Sequence, residues 1–481
     1  MSGTVPSVAV MEITENLEND IAALDHHVDG AVYIGTQDPA DRAGAQLLAS
    51  HRPAVVLEAS SVEDVSRAIT FAADHGMRVA VQATGHGRTR ALDGGLLIDT
   101  GRMCEVTVDV ATRRAWVAAG ATWQHVIEQA APHGLAPLSG SLPTVGAVAY
   151  TLGGGIGLLA RRYGYSADHV TRFEAVTADG KIRKVSPADE PDLYWALRGG
   201  GGNVAVVTGM EIDLMPVAQL YGGGLMFDLA KSPEVLTVWT AWTRSVPESM
   251  TSAVAVIPFP DQPFVPADLR GRQVAQLQIS FAGPEEEGQR LVEPLLRPGP
   301  QLRNTLRTLP YIQSRAVFDE PDRPAAYRGK SVLVDDLDPR ALTALAHRAG
   351  ATPGGCIVGV RHLGGALTRT PSVPNAVGHR SAQYSVGLLS LLHDLSLLDG
   401  GDTSGVSQVQ DELLEPFAPN RLGLSLNFAF GLLEPDQVRS AFAPADADRL
   451  GDIARRYDPR GVLYANHPIP APVLPKTLTQ N

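Results

Sequence analysis

Cysteine is nearly absent: among 481 residues only Cys104 and Cys356 carry a thiol. With no CxxC and no Cys/His spacing of a metal site, neither a disulfide framework nor structural zinc is expected. Each thiol reads as a plain buried one. No run of about 18 apolar residues occurs, so no membrane-spanning helix is expected. Residues Met1–Asp20 carry Glu12, Glu15, Glu18 and Asp20 and lack a basic stretch followed by an apolar core, which argues against a secretory signal. A cytoplasmic protein is expected. Basic residues are in the minority, Lys+Arg 40 against Asp+Glu 52 for a net charge of −12, with no basic cluster to override it. Nucleic acid is therefore an unfavoured partner. The patterns GxxxxGK[ST], HExxH and GxSxG are missing too, which removes P-loop, zincin and α/β-hydrolase readings.

What is present describes a globular chain of roughly two or three compact units. Gly and Pro are plentiful, 48 and 35 residues, which favours many strands and turns. Ala54–Leu57 reads as a buried strand. Ser61-Val62-Glu63-Asp64 offers a hydroxyl cap with an acid three residues on, and Val62, Val65, Ile69 and Ala72 give the following helix one apolar face. Gly76 can end it, and Arg78–Gln82 completes a βαβ unit. Beyond it, Leu96–Asp99, Val106–Val110 and Arg114–Ala119 read as strands of a second α+β unit, with a helix over Thr122–Ala131. Asp179-Gly180 between two apolar runs signals a hairpin. Pro191–Leu197 starts a helix, Val204–Thr208 is a strand, and Ala445–Tyr457 is a late helix.

The C-terminal end of the first βαβ unit carries Ala83-Thr84-Gly85-His86-Gly87, at the place where open α/β sheets bind ligands. Glycines there let backbone N–H groups approach a phosphate, and one imidazole is offered beside them. Ser139-Gly140-Ser141-Leu142-Pro143-Thr144-Val145-Gly146 and Gly153-Gly154-Gly155-Ile156-Gly157 add two further glycine loops. Together they suggest an extended, phosphate-bearing cofactor. Gly155–Ala160 also fits G-x-G-x-x-A, with Glu174 as a ribose-binding acid, so a nicotinamide-dependent dehydrogenase is an alternative. It is weakened by Gly164 and Ser166-Ala167-Asp168, which interrupt the helix that should carry the phosphate.

The ordered set of motifs resembles the FAD-linked oxidases of the vanillyl-alcohol oxidase / p-cresol methylhydroxylase fold, in particular the berberine bridge enzyme-like branch. It comprises Arg52-Pro53, Gly85-His86-Gly87, Leu142–Gly146, Leu152–Gly157, Arg162-Tyr163-Gly164, Ala178-Asp179-Gly180, Pro191–Asn203, His379-Arg380, Tyr457-Asp458-Pro459 and Asn466. The resemblance implies an α+β protein with a two-part FAD-binding domain of the p-cresol methylhydroxylase type over residues 1–218, divided near 105. A substrate domain with a large antiparallel sheet follows over 219–434, and 435–481 returns to the FAD domain. It further implies FAD bonded through His86. The cofactor would be held by Ala83, Thr84, Gly85, Gly87, Ser141, Thr144, Val145, Gly146, Gly153, Gly154, Gly155, Gly157, Gly202, Asn203, Val207 and Asn466. A substrate hydride would pass to the flavin, with O2 as acceptor because Val145 stands where valine tends to admit oxygen.

Two departures qualify the resemblance. Leu142 replaces the cysteine that gives many members a second flavin link, so a single link is expected. Arg369 stands at the glutamate position of the plant enzymes, and Asn427-Phe428 where some bacterial members carry tyrosine after asparagine. Tyr384, His362 or Tyr464 are the substitute bases, unless the substrate proton is already acidic. The reading is an oxidase of a small-molecule substrate in secondary metabolism, monomeric or weakly dimeric, without metal. A non-redox binding or cyclisation protein on the same fold is the second alternative.

Overall fold

The computed structural model describes residues 15–35, 44–392 and 403–470. The stretch read for a signal lies outside the described residues up to residue 14. Short aliphatic runs bounded by turns build the first sheet: β1 (Ala31–Ile34), β2 (Val55–Glu58), β3 (Val79–Gln82) and β4 (Leu96–Asp99), in the order β1-β2-β4-β3. The helix Val62–Asp74 crosses between β2 and β3; Ser61 Oγ accepts the Asp64 N–H as its cap, and Gly76 follows at φ +65°. One expectation is corrected. Leu96–Asp99, grouped above with the strands after it, is the central strand of this sheet, parallel to both β2 and β3. Strand order is set by crossovers, which local pattern does not report.

The second sheet holds β5 (Val106–Asp109), β6 (Arg114–Ala118), β7 (Val170–Val176), β8 (Ile182–Val185) and β9 (Val206–Asp213), in the order β5-β6-β9-β7-β8. The Asp179-Gly180 hairpin joins β7 to β8 as the sequence indicates, with Gly180 at φ +73°. Helices Trp123–Ala130 and Pro191–Leu197 pack on it through Trp123, Val126, Leu193 and Trp195.

The third sheet is antiparallel and has nine strands among the described residues: β10 (Gln219–Asp228), β11 (Met250–Pro258), β12 (Gln273–Phe281), β13 (Gln301–Asn304), β14 (Arg307–Pro310), β15 (Tyr327–Val334), β16 (Ile357–His362), β17 (Tyr384–Leu391) and β18 (Arg421–Gly423). One face is covered by helices Val235–Thr243 and Pro339–Gly350, whose Trp239, Leu342 and Leu345 share a core with Val254, Leu277, Ile279, Val360 and Val386. The other face has a different composition. Residues paired across antiparallel strands point the same way, so Gly224, Gln278, Ala253, Arg361, Ser385 and Leu333 form one row. The adjoining row is Gln276, Ala255, Gly359, Gly387 and Ser331. Leu333 packs there with Ile156 of the third glycine loop, which sets this face opposite the glycine loops.

After the helix Pro444–Tyr457 the chain returns to the first sheet: Val79 N–H donates to Val462 O and Tyr464 N–H to Val79 O, both at 2.7 Å. Among the described residues no helix is long and apolar enough to cross a membrane.

Candidate active site

The glycine–histidine loop leaves the C-terminal end of β3 and turns through Gly85 at φ +69° and Gly87 at φ +67°, a region open to glycine at no steric cost. It is clamped from several directions. Asn466 Oδ1 accepts the Thr89 N–H at 2.7 Å and its Nδ2 donates to Gly87 O at 3.0 Å. Tyr327, from β15, accepts the Gly87 N–H at 3.1 Å, while Ala45 and Gln46 N–H groups donate to Thr84 O and Gly85 O. Beneath the loop, buried Arg88 donates to Gln82 Oε1 and Gln46 O. The loop is thus placed by residues from all parts of the chain. His86 Nδ1 lies 3.0 Å from Thr84 Oγ1, and burial pushes the imidazole down to about 4, so it is neutral near pH 7.

The second loop lies against the first. A side chain at Gly146 would touch Ala83 Cβ at 3.6 Å and Thr84 Oγ1 at 3.8 Å. Pro143 O and Val145 O accept the Gln124 and Trp123 N–H groups, fixing the turn, and Val145 packs on the second-sheet core. Ser141 Oγ donates to Glu320 at 3.0 Å. Leu142 is half-buried beside it. In the third loop the glycines permit close packing: positions 155 and 157 abut the Tyr150 ring and hydroxyl, 154 abuts Tyr165, and 153 abuts Asn427. Gly202 faces open space, and Asn203 ties its loop to the segment after Tyr457 by donating to Gly200 O and accepting the Ile469 N–H at 3.0 Å. Val207 stands apart, buried in the second-sheet core.

The three residues named as bases are not brought to this place. Tyr384 lies on the helix-covered face, its hydroxyl bonded to Thr243 Oγ1 at 2.7 Å. His362 stacks on it and meets Arg161 Nη1 at 2.6 Å, and burial with Arg161 beside it drives its pKa well below the ordinary value. Both share the side of the sheet that carries Val360 and Val386, so strand parity turns them away from the loops. Tyr464 packs beside β3, donates to Ala91 O at 2.9 Å and is covered by the Arg90 guanidinium at 4.2 Å. Arg369, at the position of the missing glutamate, is exposed and pairs with Glu248. Cys104 is exposed rather than buried, and Cys356 is buried.

Three residues that the sequence reading passed over do converge. Arg361 projects from β16 on the loop-facing side, its guanidinium 4.4 Å from the ring of Phe428 and 5.8 Å from that of Phe318. Glu320 and Tyr150 lie within its field. Tyr150 has a buried hydroxyl with no partner, and burial raises its pKa. Alternation in Ile357–His362 marks Arg361 as opposite to Val360, but only the assembled sheet shows which face meets the loops.

Gly155–Ala160 does not stand in dinucleotide context. A helix, Ala147–Leu152, precedes it and a helix of only Ala160–Tyr163 follows, while Glu174 is taken by Thr208 Oγ1 at 2.9 Å. The strand–turn–helix that the fingerprint requires is missing there.

Residues 53–186 match the family model described as FAD binding domain. An uncharacterized FAD-linked oxidoreductase of Bacillus subtilis, YgaK, is 28% identical over 366 residues, spanning 73% of this chain and 78% of the relative. The chain carries an FAD-binding domain and is similar to FAD-linked oxidoreductases over most of its length. Its fold is of the p-cresol methylhydroxylase type. That of 6-hydroxy-D-nicotine oxidase from Arthrobacter nicotinovorans superposes with a TM-score of 0.79 at 22% identity, covering 92% of this chain and 98% of the other. Glucooligosaccharide oxidase from Acremonium strictum, described with a 6-S-cysteinyl, 8α-N1-histidyl FAD, superposes with a TM-score of 0.77 at 19% identity over 94% and 99% of the two chains. The residues of this oxidoreductase fit FAD. Two glycine loops lie side by side, Gly202 fronts open space, and the buried Thr144 Oγ1 lacks any partner in the protein.

Proposed function

We propose that this FAD-linked oxidoreductase is an oxidase that carries its FAD through a single bond to His86 and returns electrons to O2. Its small-molecule substrate would lie between the loop-facing side of the third sheet and the glycine loops, and the reaction would be a tailoring step in secondary metabolism. The observation that carries this reading is the state of His86: a neutral imidazole held by Thr84 between two left-handed glycines, in a loop clamped by Asn466 and Tyr327. A neutral ring nitrogen is the form able to make a bond to carbon. The histidyl attachment named for the glucooligosaccharide oxidase supports the same assignment here, and Leu142 removes the thiol needed for a second link. FAD supplies a two-electron acceptor when bound.

The chain's own residues position and desolvate. Ser141 donates to Glu320, a carboxylate beside the second glycine loop and within the field of Arg361 that would serve for proton transfer, and Val145 would leave room for O2. The experiment is acid precipitation of the purified protein beside a His86→Ala variant, with absorption of the pellets read in the visible range. Flavin colour in the wild-type pellet alone is the expected result. Colour in both supernatants would overturn the covalent link, and a colourless protein would overturn the flavoenzyme. Peroxide formation on re-aeration of the reduced holoprotein tests the acceptor.

A further inference from the structure

We propose that Arg361 anchors a carboxylate group of the substrate, so that the site selects organic monoanions over neutral compounds of the same shape. The inference rests on the substrate position proposed above and adds its chemical class. Among the described residues Arg361 makes no hydrogen bond and no ion pair; its contacts are the two aromatic rings. Burial lowers its pKa, and a guanidinium keeps its charge in proteins. A half-buried guanidinium with five donors that rests on two ring faces has no acceptor of the protein to bind.

Around it the sheet is open where it is usually filled. A side chain built at Gly359, two residues before Arg361 on the same face, would meet nothing within 4 Å. The flanking Ala255 and Gly387 are small, and Gln278 Oε1, Ser331 Oγ and the Tyr150 hydroxyl are buried without partners. Small residues, idle polar atoms and one cation without a hydrogen-bond partner together describe a pocket for a polar organic ligand. Glu320 fixes the valence. Its charge lies within the field of Arg361 yet is not paired with it, which offsets part of the guanidinium's potential and matches one negative charge better than two. A planar carboxylate also fits the guanidinium fork, with Phe318 and Phe428 against its apolar body.

Benzoate is the probe, with benzamide as its neutral counterpart and benzylphosphonate as the dianion, each titrated calorimetrically into the purified holoprotein. Benzoate is expected to bind at least about tenfold more tightly than benzamide and more tightly than benzylphosphonate. Arg361→Gln is expected to abolish that preference while retaining its flavin; Arg361→Lys keeps part of it. Gly359→Val, which fills the open space without a strained backbone, should weaken benzoate and leave flavin content unchanged. Equal binding of benzoate and benzamide to the wild type overturns the proposal. So does an undiminished preference in Arg361→Gln, or loss of FAD from that variant, which would make Arg361 a cofactor ligand. Because flavin content is read separately, failure of the anion site is distinguishable from failure of the covalent oxidase reading.

Discussion

The two faces of the nine-stranded sheet are built from alternate residues of the same strands and obey different rules. In Gln273–Phe281, Ala275, Leu277, Ile279 and Phe281 enter a sealed apolar core under two helices. Gln276, Gln278 and Ser280 point the other way and are just as buried, at 7%, 4% and 2% exposure. The first face is filled with apolar side chains, and its strand-borne polar groups find partners, Tyr384 in Thr243 and His362 in Arg161, although the Trp239 indole N–H of a covering helix has none. The second holds Gln278 Oε1 and Ser331 Oγ buried without hydrogen-bond partners, beside the half-buried Arg361, which also has none among the described residues. A fold that leaves buried polar groups idle forgoes stability, and the place where it does so marks where something else binds.

Truncation on the two faces should therefore differ most. Leu277→Ala, at a fully buried position, should cost about 3–4 kcal/mol by urea denaturation. A loss under half of that would show the helix-covered core to be loosely packed. At the loops, Asn466→Ala should cost about 1–2 kcal/mol and speed hydrogen exchange of the Thr89 amide, whose acceptor it removes. Unchanged exchange at Thr89 would place the clamp elsewhere. A third comparison uses pH. His51, His86 and His467 are pushed down to about 3, 4 and 4 by burial. Folded pKa values below the ordinary 6.5 mean that the unfolded chain binds more protons in the interval between. The contribution of these three to stability should be flat above pH 6.5 and decline as pH falls toward 4, and His51→Gln, which keeps an acceptor for the Leu92 N–H, should shallow that slope. A slope unaltered by the substitution would remove His51 from the account. Smallest of all, Gln278→Leu should shift stability by less than about 1 kcal/mol in either direction, since it replaces a side chain whose oxygen has no partner. A large loss would show that this face too is structural.

The same contrast explains what could be read from the sequence. Ser61 as a helix cap, the Asp179-Gly180 hairpin and the glycine–histidine loop after β3 are local signals, decided within a few residues, and the structure reproduces them. Ordered motifs carried the family. Strand β4 at the centre of the first sheet depends on crossovers and was misplaced. Tyr384 and His362 lie on the helix-covered face for a related reason: residue type suggests a base, while strand parity decides which side it reaches. Arg361, Glu320 and Tyr150 carry no motif. Polar alternation in β12 resembles a half-solvated strand, and only the docking of the loops converts its wet face into a buried one.

The clamp on His86 also has a consequence in time. Asn466 is translated 377 residues after Thr89, whose amide it holds, and Tyr327 comes 240 residues after Gly87. A growing chain can fold its first βαβ unit early, yet it cannot complete the clamp on the histidine loop until Asn466 has left the ribosome. If FAD is bonded to His86 as proposed, attachment would report completion of that clamp, and chains halted short of Asn466 would stay uncoloured.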